Sequence, residues 1–530
     1  MRPQSACVAC RERRKKCHRR PREARCNFCI KRGLKCSFMR NSVIRSDGRE
    51  YDPLLYYDED EMLAPAAPDI VPDQDFSVEL VQLYFRYIHI VFHNLFHEPS
   101  FMSAVRDGTI PKVLFFGAIA LSARFSSHPS LADIEPRQRG RLYAEEATRL
   151  LDLQNTSLTT IQACMLLGAI QGVEGNPATE SVYFSAAARM AMILDLPRAL
   201  SRTRIDQEIN VRVWWSLVAT DTWSSAALCL PRAIQPCNDD PLPMDEIAFS
   251  RLGLHDPPQS FATDGSTSTD TGCSSSLISQ MIKLNHFLWD TNKIYRIFVS
   301  GQMTYGTLEV SVRNLSASLD IWLWELPINM RNTPDNVSYW ASQGFGHIFV
   351  NLHINYNHVG QLLFYPFLND SQELDGNSAA HASKSHYHYA QRCAQHAANL
   401  CEIVYQARES PTSEVSYSLM CHVLVIASTV HIYILLFSPN DDQISAARYR
   451  LERNFEIIDS LRKYWPCVDA SLGRLKAFHN ACLKSKEDSF RLDQWMLKFI
   501  LDNERPVKER DEDAGLEWDR SILSFGQLGQ

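Results

Sequence analysis

Six of the chain's fifteen cysteines fall within thirty positions, spaced Cys7-x2-Cys10-x6-Cys17-x8-Cys26-x2-Cys29-x6-Cys36. The second triplet repeats the internal spacing of the first, so the stretch is an internal duplication. Thiolates at such spacing suit Zn²⁺, whose structural sites take four ligands in a tetrahedron. Two zinc ions need eight ligand positions, and six thiolates fill them if two bridge both metals. Symmetry makes Cys7 and Cys26, the leading members of the two triplets, the natural bridges. Four ligands with two idle cysteines is the competing arithmetic, and it leaves the matched second triplet unexplained; His18, beside Cys17, is a further candidate ligand. The segment's large apolar side chains are Phe28, Ile30 and Leu34, too few for a core. Metal binding would instead supply the folding free energy, about 10–16 kcal/mol for a structural zinc site.

Positive charge surrounds these thiols. Residues 1–40 hold fourteen Lys/Arg against Glu12 and Glu23, while the whole chain has a net charge of −7, so the other 490 residues carry −19. A basic head on an acidic body selects a polyanion as the partner of the head. Between Cys10 and Cys17 lies RERRKK, with five cations and one acid. Between Cys29 and Cys36 lies IKRGLK, with three cations, two aliphatics and a glycine. Both read as short helices packed on metal, and only the first presents a dense cationic end.

The six-cysteine pattern, with CRERRKKC after the first pair, resembles the fungal Zn2Cys6 binuclear-cluster transcription factors. The resemblance implies a first helix whose C-terminal end enters the DNA major groove, commonly over CGG. Carried onto this sequence, Arg13 and Arg14 would read base edges, since the arginine fork donates to guanine O6 and N7 together. Arg11, Lys15, Lys16 and Lys31 would hold phosphates, with Arg32 beside them. The same RRKK run also reads as a nuclear-import signal. The family usually has proline two residues before the fourth cysteine; here that position is Ala24, and the inter-repeat loop HRRPREAR is unusually basic. Its arginines would add phosphate contacts and salt sensitivity.

The rest of the chain must position or regulate this head. With 530 residues, 45% hydrophobic and 22% charged, it is long enough for two to four units and can bury a large core. The basic N-terminus lacks an apolar secretory core. CHVLVIASTVHIYILLF, 421–437, is broken by His422 and His431 and reads as a buried core helix, with no membrane as partner. The nine cysteines from Cys164 to Cys482 lack pattern and read as free thiols of a reducing compartment. Neither G-x-S-x-G, H-E-x-x-H nor a P-loop is present, so an enzyme is not expected.

Residues 41–75 read as an acidic, proline-containing linker without the apolar heptads of a coiled coil. From Phe76 the pattern is helical: Leu80, Tyr84, Tyr87, Ile88 and Val91 fall on one face, and Tyr183, Ala187, Met190, Ala191 and Leu194 repeat the offsets. Ser157 or Thr159 caps the apolar run that follows. Further helices are expected near 113–125, 208–229, 277–300, 346–365, 386–406, 416–437 and 445–462, and strand-like alternation is scarce. The fold class is therefore mostly α: a small cluster with two short helices at 1–40, a flexible linker at 41–75, and a large all-α domain over 76–501. That domain carries a Ser/Thr loop near 262–276, and an acidic tail follows at 502–530.

Segments such as YFRYIHIVFHNLFHEPSF (84–101), YFSAAARMAMILDLPR (183–198) and RVWWSLVATD (212–221) also resemble, in order, the fungal transcription-factor regulatory domain. Together the resemblances cover about 5–40 and 80–370 and imply an all-α domain that regulates activity. Trp214, Trp215, Phe92 and Phe101 are expected in its core, and Arg212 with Asp221 as a buried pair fixing helix register. His381, His386, His388 and His396 lack metal-ligand spacing. YDPLLYYDEDEML (51–63) and DEDAGLEWDRSILSF (511–525) are acidic-aromatic candidates for recruiting coactivators or the transcription machinery. The expected molecule is a nuclear regulator of RNA polymerase II transcription that binds double-stranded DNA, with monomer and homodimer both open.

Overall fold

The computed structural model describes residues 10, 13–14, 16–17, 26–32, 43–44, 50–51, 70–89, 93–258, 276–371, 382–410, 413–414, 416–485, 499 and 501. The chain divides into two compact units, Met1–Ile70 and Val71–Gln530. In the first, α1 spans Asn27–Lys31, inside the second cysteine triplet. Cys10 is also helical. Val43–Ile44 pairs antiparallel with Glu50–Tyr51, a small hairpin that the reading of 41–75 as plain linker did not foresee.

The second unit is helical throughout, apart from an isolated bridge between His89 and His93. Several of its helices begin where short polar side chains accept the unpaired N–H groups of a first turn. Asp73 accepts from Phe76 N (2.9 Å) and opens α2, Gln74–Tyr87. That start precedes the expected boundary at Phe76 by two residues, and the helix ends at Tyr87, short of Val91, which lies outside the described residues. α3 (Glu98–Arg106), α4 (Lys112–Ser122) and α5 (Arg141–Leu150) follow. Ser157, not Thr159, caps α6 (Leu158–Val173), accepting from Thr160 N. α7 is Pro177–Ile193, and α8, Arg204–Leu228, opens on a Thr203 cap. Cys229, in the left-handed region at φ 57°, ends α8.

After short α9 (Glu246–Ser250) come α10 (Leu277–Val299), α11 (Tyr305–Glu325), α12 (Pro334–Ser342), α13 (Gly346–Phe364) and α14 (Ala382–Arg408). α15 (Leu419–Phe437), α16 (Asp441–Arg462) and α17 (Val468–Ser485) close the described body. The Ser/Thr loop and the acidic tail lie outside the described residues.

α6 and α15 are apolar all round and therefore central. α6 packs on α4 and α7, and α15 on α14, α16 and α17. α15 is long and apolar enough to cross a bilayer by length and composition, yet Met420 through Tyr433 are buried inside the helical body, except half-buried His422. Close helix pairs are made by missing side chains. A Cβ on Gly168 would sit 2.4 Å from the Phe184 ring of α7, and one on Gly360 2.6 Å from the His396 ring of α14.

The expected Arg212–Asp221 pair does not form. Nine residues along a helix rotate by half a turn beyond whole turns and rise about 13 Å, so the two side chains leave α8 on opposite faces. Arg212 Nε instead donates to Glu208 Oε1 at 2.7 Å, and its guanidinium lies 4.1 Å from the Phe249 ring centre. Asp221 accepts from Ala233 N (3.1 Å), Ile234 N (2.9 Å) and Ser225 Oγ (3.1 Å). Trp214 Nε1 donates to Asp240 Oδ2 at 3.0 Å and Trp215 Nε1 to the Pro241 carbonyl at 2.8 Å. α8 thus holds the 231–245 segment along its length. Trp214, Trp215 and Phe101 are buried as expected, while Phe92 lies outside the described residues.

Candidate metal centre and nucleic-acid interface

Among the described residues of the head, Cys10 and Cys29 are helical while Cys17 and Cys26 lie outside helices. Cys10 and Cys26 are fully buried, as is Cys29 in α1, and Cys17 is half-buried. The sulfurs of Cys10, Cys17 and Cys26 all lie within 4.8 Å of one another, the one such grouping of potential metal ligands among the described residues. Cys10 Sγ and Cys26 Sγ are 3.4 Å apart. Disulfide sulfurs sit near 2.05 Å, whereas two thiolates on one tetrahedral zinc stand about 3.8 Å apart. The donor set therefore fits zinc in both atom type and separation.

Cys26 is the hub of this group. Burial raises its thiol, but hydrogen bonds from the Cys29 backbone and from the Cys10, Cys29 and Cys17 thiols outweigh that, bringing it down to about 6. It touches both members of the first triplet that are described and the neighbouring member of its own. Cys7 and Cys36 lie outside the described residues.

Arg13 and Arg14 form a turn after helical Cys10, and both are exposed. Arg14 has φ 49°, the left-handed region that an L-residue enters at a cost of about 1–2 kcal/mol. That conformation cannot continue a right-handed helix, so the chain reverses there and brings Cys17 back toward Cys10. The arginines consequently occupy the helix exit, on the outside of the sulfur cluster. Lys16 is exposed, as are Lys31 at the end of α1 and Arg32 after it. Arg11 and Lys15 lie outside the described residues.

Within the helical body, burial silences the remaining candidates. Cys164 and Cys401 are pushed up to about 11 by burial, and the described cysteines are all free thiols, although Cys237 is exposed rather than buried. His396 is buried and its Nδ1 donates to Asn357 Oδ1 at 3.1 Å, and His388 is exposed. The side chains of His381 and His386 lie outside the described residues. The sequence reading missed a second feature, the ring of His89. Its Nε2 accepts from both Leu95 N (3.2 Å) and Phe96 N (3.0 Å), fastening the chain between α2 and α3.

Residues 81–323 match the fungal specific transcription factor domain. A Zn(2)-C6 fungal-type transcription factor of Fusarium oxysporum, FTF1c, is 23% identical over 453 residues, covering 77% of this chain and 46% of the relative. An uncharacterized transcriptional regulatory protein of Schizosaccharomyces pombe is 26% identical over 237 residues, 41% of this chain and 24% of the relative. Activator of stress genes 1 of Saccharomyces cerevisiae is 24% identical over 331 residues, covering 56% and 32%. The chain spans less than half the length of these relatives. By this domain and these relatives, the chain is similar to fungal transcription factors, Zn(2)-C6 fungal-type ones among them.

Proposed function

We propose that the protein is a nuclear, sequence-specific DNA-binding regulator of RNA polymerase II transcription, acting by binding rather than catalysis. Residues 1–40 form the DNA-binding head, 41–75 the linker, 76–501 the regulatory body and 502–530 an acidic tail that recruits coactivators. The observation that carries the reading is the convergence of Cys10, Cys17 and Cys29 on the single sulfur of Cys26, with exposed Arg13 and Arg14 on the turn between two of them. Two zinc ions held by Cys7, Cys10, Cys17, Cys26, Cys29 and Cys36, with Cys7 and Cys26 shared, would do the work of the missing core.

The protein's own groups do the rest. Arg13 and Arg14 reach guanine edges at CGG-like sites, while Arg11, Lys15, Lys16, Lys31 and Arg32 hold phosphates and set the register. Held rigidly by the sulfur cluster, the helix exit loses little freedom on docking. The test is binding of the full chain to duplexes with and without CGG across a salt series. Tighter binding to CGG and a steep loss with salt are expected. Affinity indifferent to both sequence and salt would overturn the reading.

A further inference from the structure

A cleft in the helical body lies between α11, α13 and α14, with a volume of about 530 Å³. That is the size of site that encloses a small organic molecule. On α14, Asn399, Glu402, Ile403 and Gln406 stand at helical spacing on one face; on α13, His353, Tyr356 and Asn357 do the same. Trp324 and Arg331 close the rim, the indole being 78% exposed.

The lining carries almost no free charge. Arg331 donates Nε to the Leu326 carbonyl (3.2 Å) and Nη2 to the Trp324 carbonyl (3.1 Å). Glu402 is bound by Arg450 at 3.3 Å. His353, buried and bonded to the Met330 carbonyl, is pushed down to about 4 and stays neutral. One cation and one anion, each already engaged, give an anionic or cationic ligand little to hold.

The shape of the aromatic surface narrows the class further. Trp322 is stacked on the Tyr356 ring at 5.5 Å, and the His396 edge meets the same ring at 5.4 Å. With Trp322 stacked on it and His396 against it, the Tyr356 ring has less surface to offer a flat ligand than the exposed Trp324 indole. Trp324 alone presents an open aromatic face. Around it stand the exposed carboxamides of Asn332, Asn399 and Gln406, each amide offering a donor beside an acceptor. In Asn399 the oxygen already accepts from Gln395, leaving the amino group. Groups that both donate and accept match hydroxyls, which do the same, and one indole face matches the C–H face of a pyranose.

We infer that this cleft binds an uncharged polyhydroxylated molecule of mono- to disaccharide size, seated on Trp324 and hydrogen-bonded by Asn332, Asn399 and Gln406. The site is independent of the cysteine cluster and of DNA.

The full chain without DNA should be titrated with methyl glycosides of glucose, galactose, mannose and xylose, and with maltose and cellobiose, following tryptophan fluorescence and thermal unfolding. At least one sugar should give a saturable response that glycerol at equal concentration does not. Trp324→Ala should weaken that sugar about tenfold, and Gln406→Ala should weaken it too. Both residues are exposed, so unligated unfolding temperatures should match the parent and certify folding. Glucuronate should bind less well than the glucoside. Responses that rise linearly and equal glycerol's for every sugar, an undiminished response in Trp324→Ala, or glucuronate binding as tightly as the glucoside would each overturn the inference.

Discussion

The Cys10 and Cys26 sulfurs lie 3.4 Å apart, one from each half of the duplicated motif. The proposed function makes Cys26 a ligand shared by two zinc ions. Elemental analysis of the full chain should find two zinc ions per molecule, and Cys26→Ser should lose both because each depends on that thiolate. A variant retaining one tightly held ion would rule out the bridge.

On the proposed function, Arg13 and Arg14 read bases while Lys16 holds phosphate. Arg14→Ala should cost about 1–3 kcal/mol on a CGG duplex and relax base preference there. Lys16→Ala should weaken all sequences alike and reduce the salt slope by about one. Competition binding on matched and mismatched duplexes distinguishes the two, and identical profiles would remove Arg14 as a reader.

Asp221 accepts from two backbone donors, Ala233 N and Ile234 N, of a segment with no helix or strand of its own. Asp221→Ala would leave buried N–H groups unpaired, at about 2–4 kcal/mol. Urea unfolding should show that loss, and hydrogen exchange should quicken at Ala233 and Ile234. Unchanged exchange at those amides would contradict the fastening role.

Gly360 admits the His396 ring where a methyl group would stand. Gly360→Ala should destabilise by about 1–3 kcal/mol from overpacking, less the gain of about 1 kcal/mol in helix propensity. The penalty should shrink in a His396→Ala background, where the obstructing ring is gone. Equal penalties in the two backgrounds would show that the ring is not the obstacle.

Burial pushes His93, His358 and His431 down to about 3, and His347, His353 and His396 to about 4. Below pH 6.5 the unfolded chain binds protons that these folded rings refuse. Stability is therefore complete above the ordinary histidine value and falls as pH drops from about 6.5 toward 4, by up to about 1.4 kcal/mol per unit for each ring. Urea midpoints at pH 7.5, 6 and 5 should decline in that order, and a flat profile would contradict the burial of neutral rings.

The helical character of the body was legible wherever an apolar stripe met a short polar cap, as at Ser157 ahead of α6. It was illegible where the stripe is short or doubled. α5 fully buries Ala147 alone and its stripe spans barely three turns, and α11 exposes Val310, Ile321, Leu323 and Trp324, which hides its inner face. α3 and α17 also escaped. In the head, sulfur spacing announced the cluster because ligand geometry is local. The reversal at Arg14 carries no such signature, since nothing in arginine favours a positive φ. The pairing of Arg212 failed for the opposite reason: complementary charge was visible, but helical phase decided between Glu208 and Asp221.

The bonding of 231–245 to α8 has a consequence for how that stretch acquires its shape. Its instructions are written in side chains twelve to thirty-six positions earlier, so a peptide of those residues made by itself should wander without settling. During synthesis it can take form only after the long helix exists to receive it.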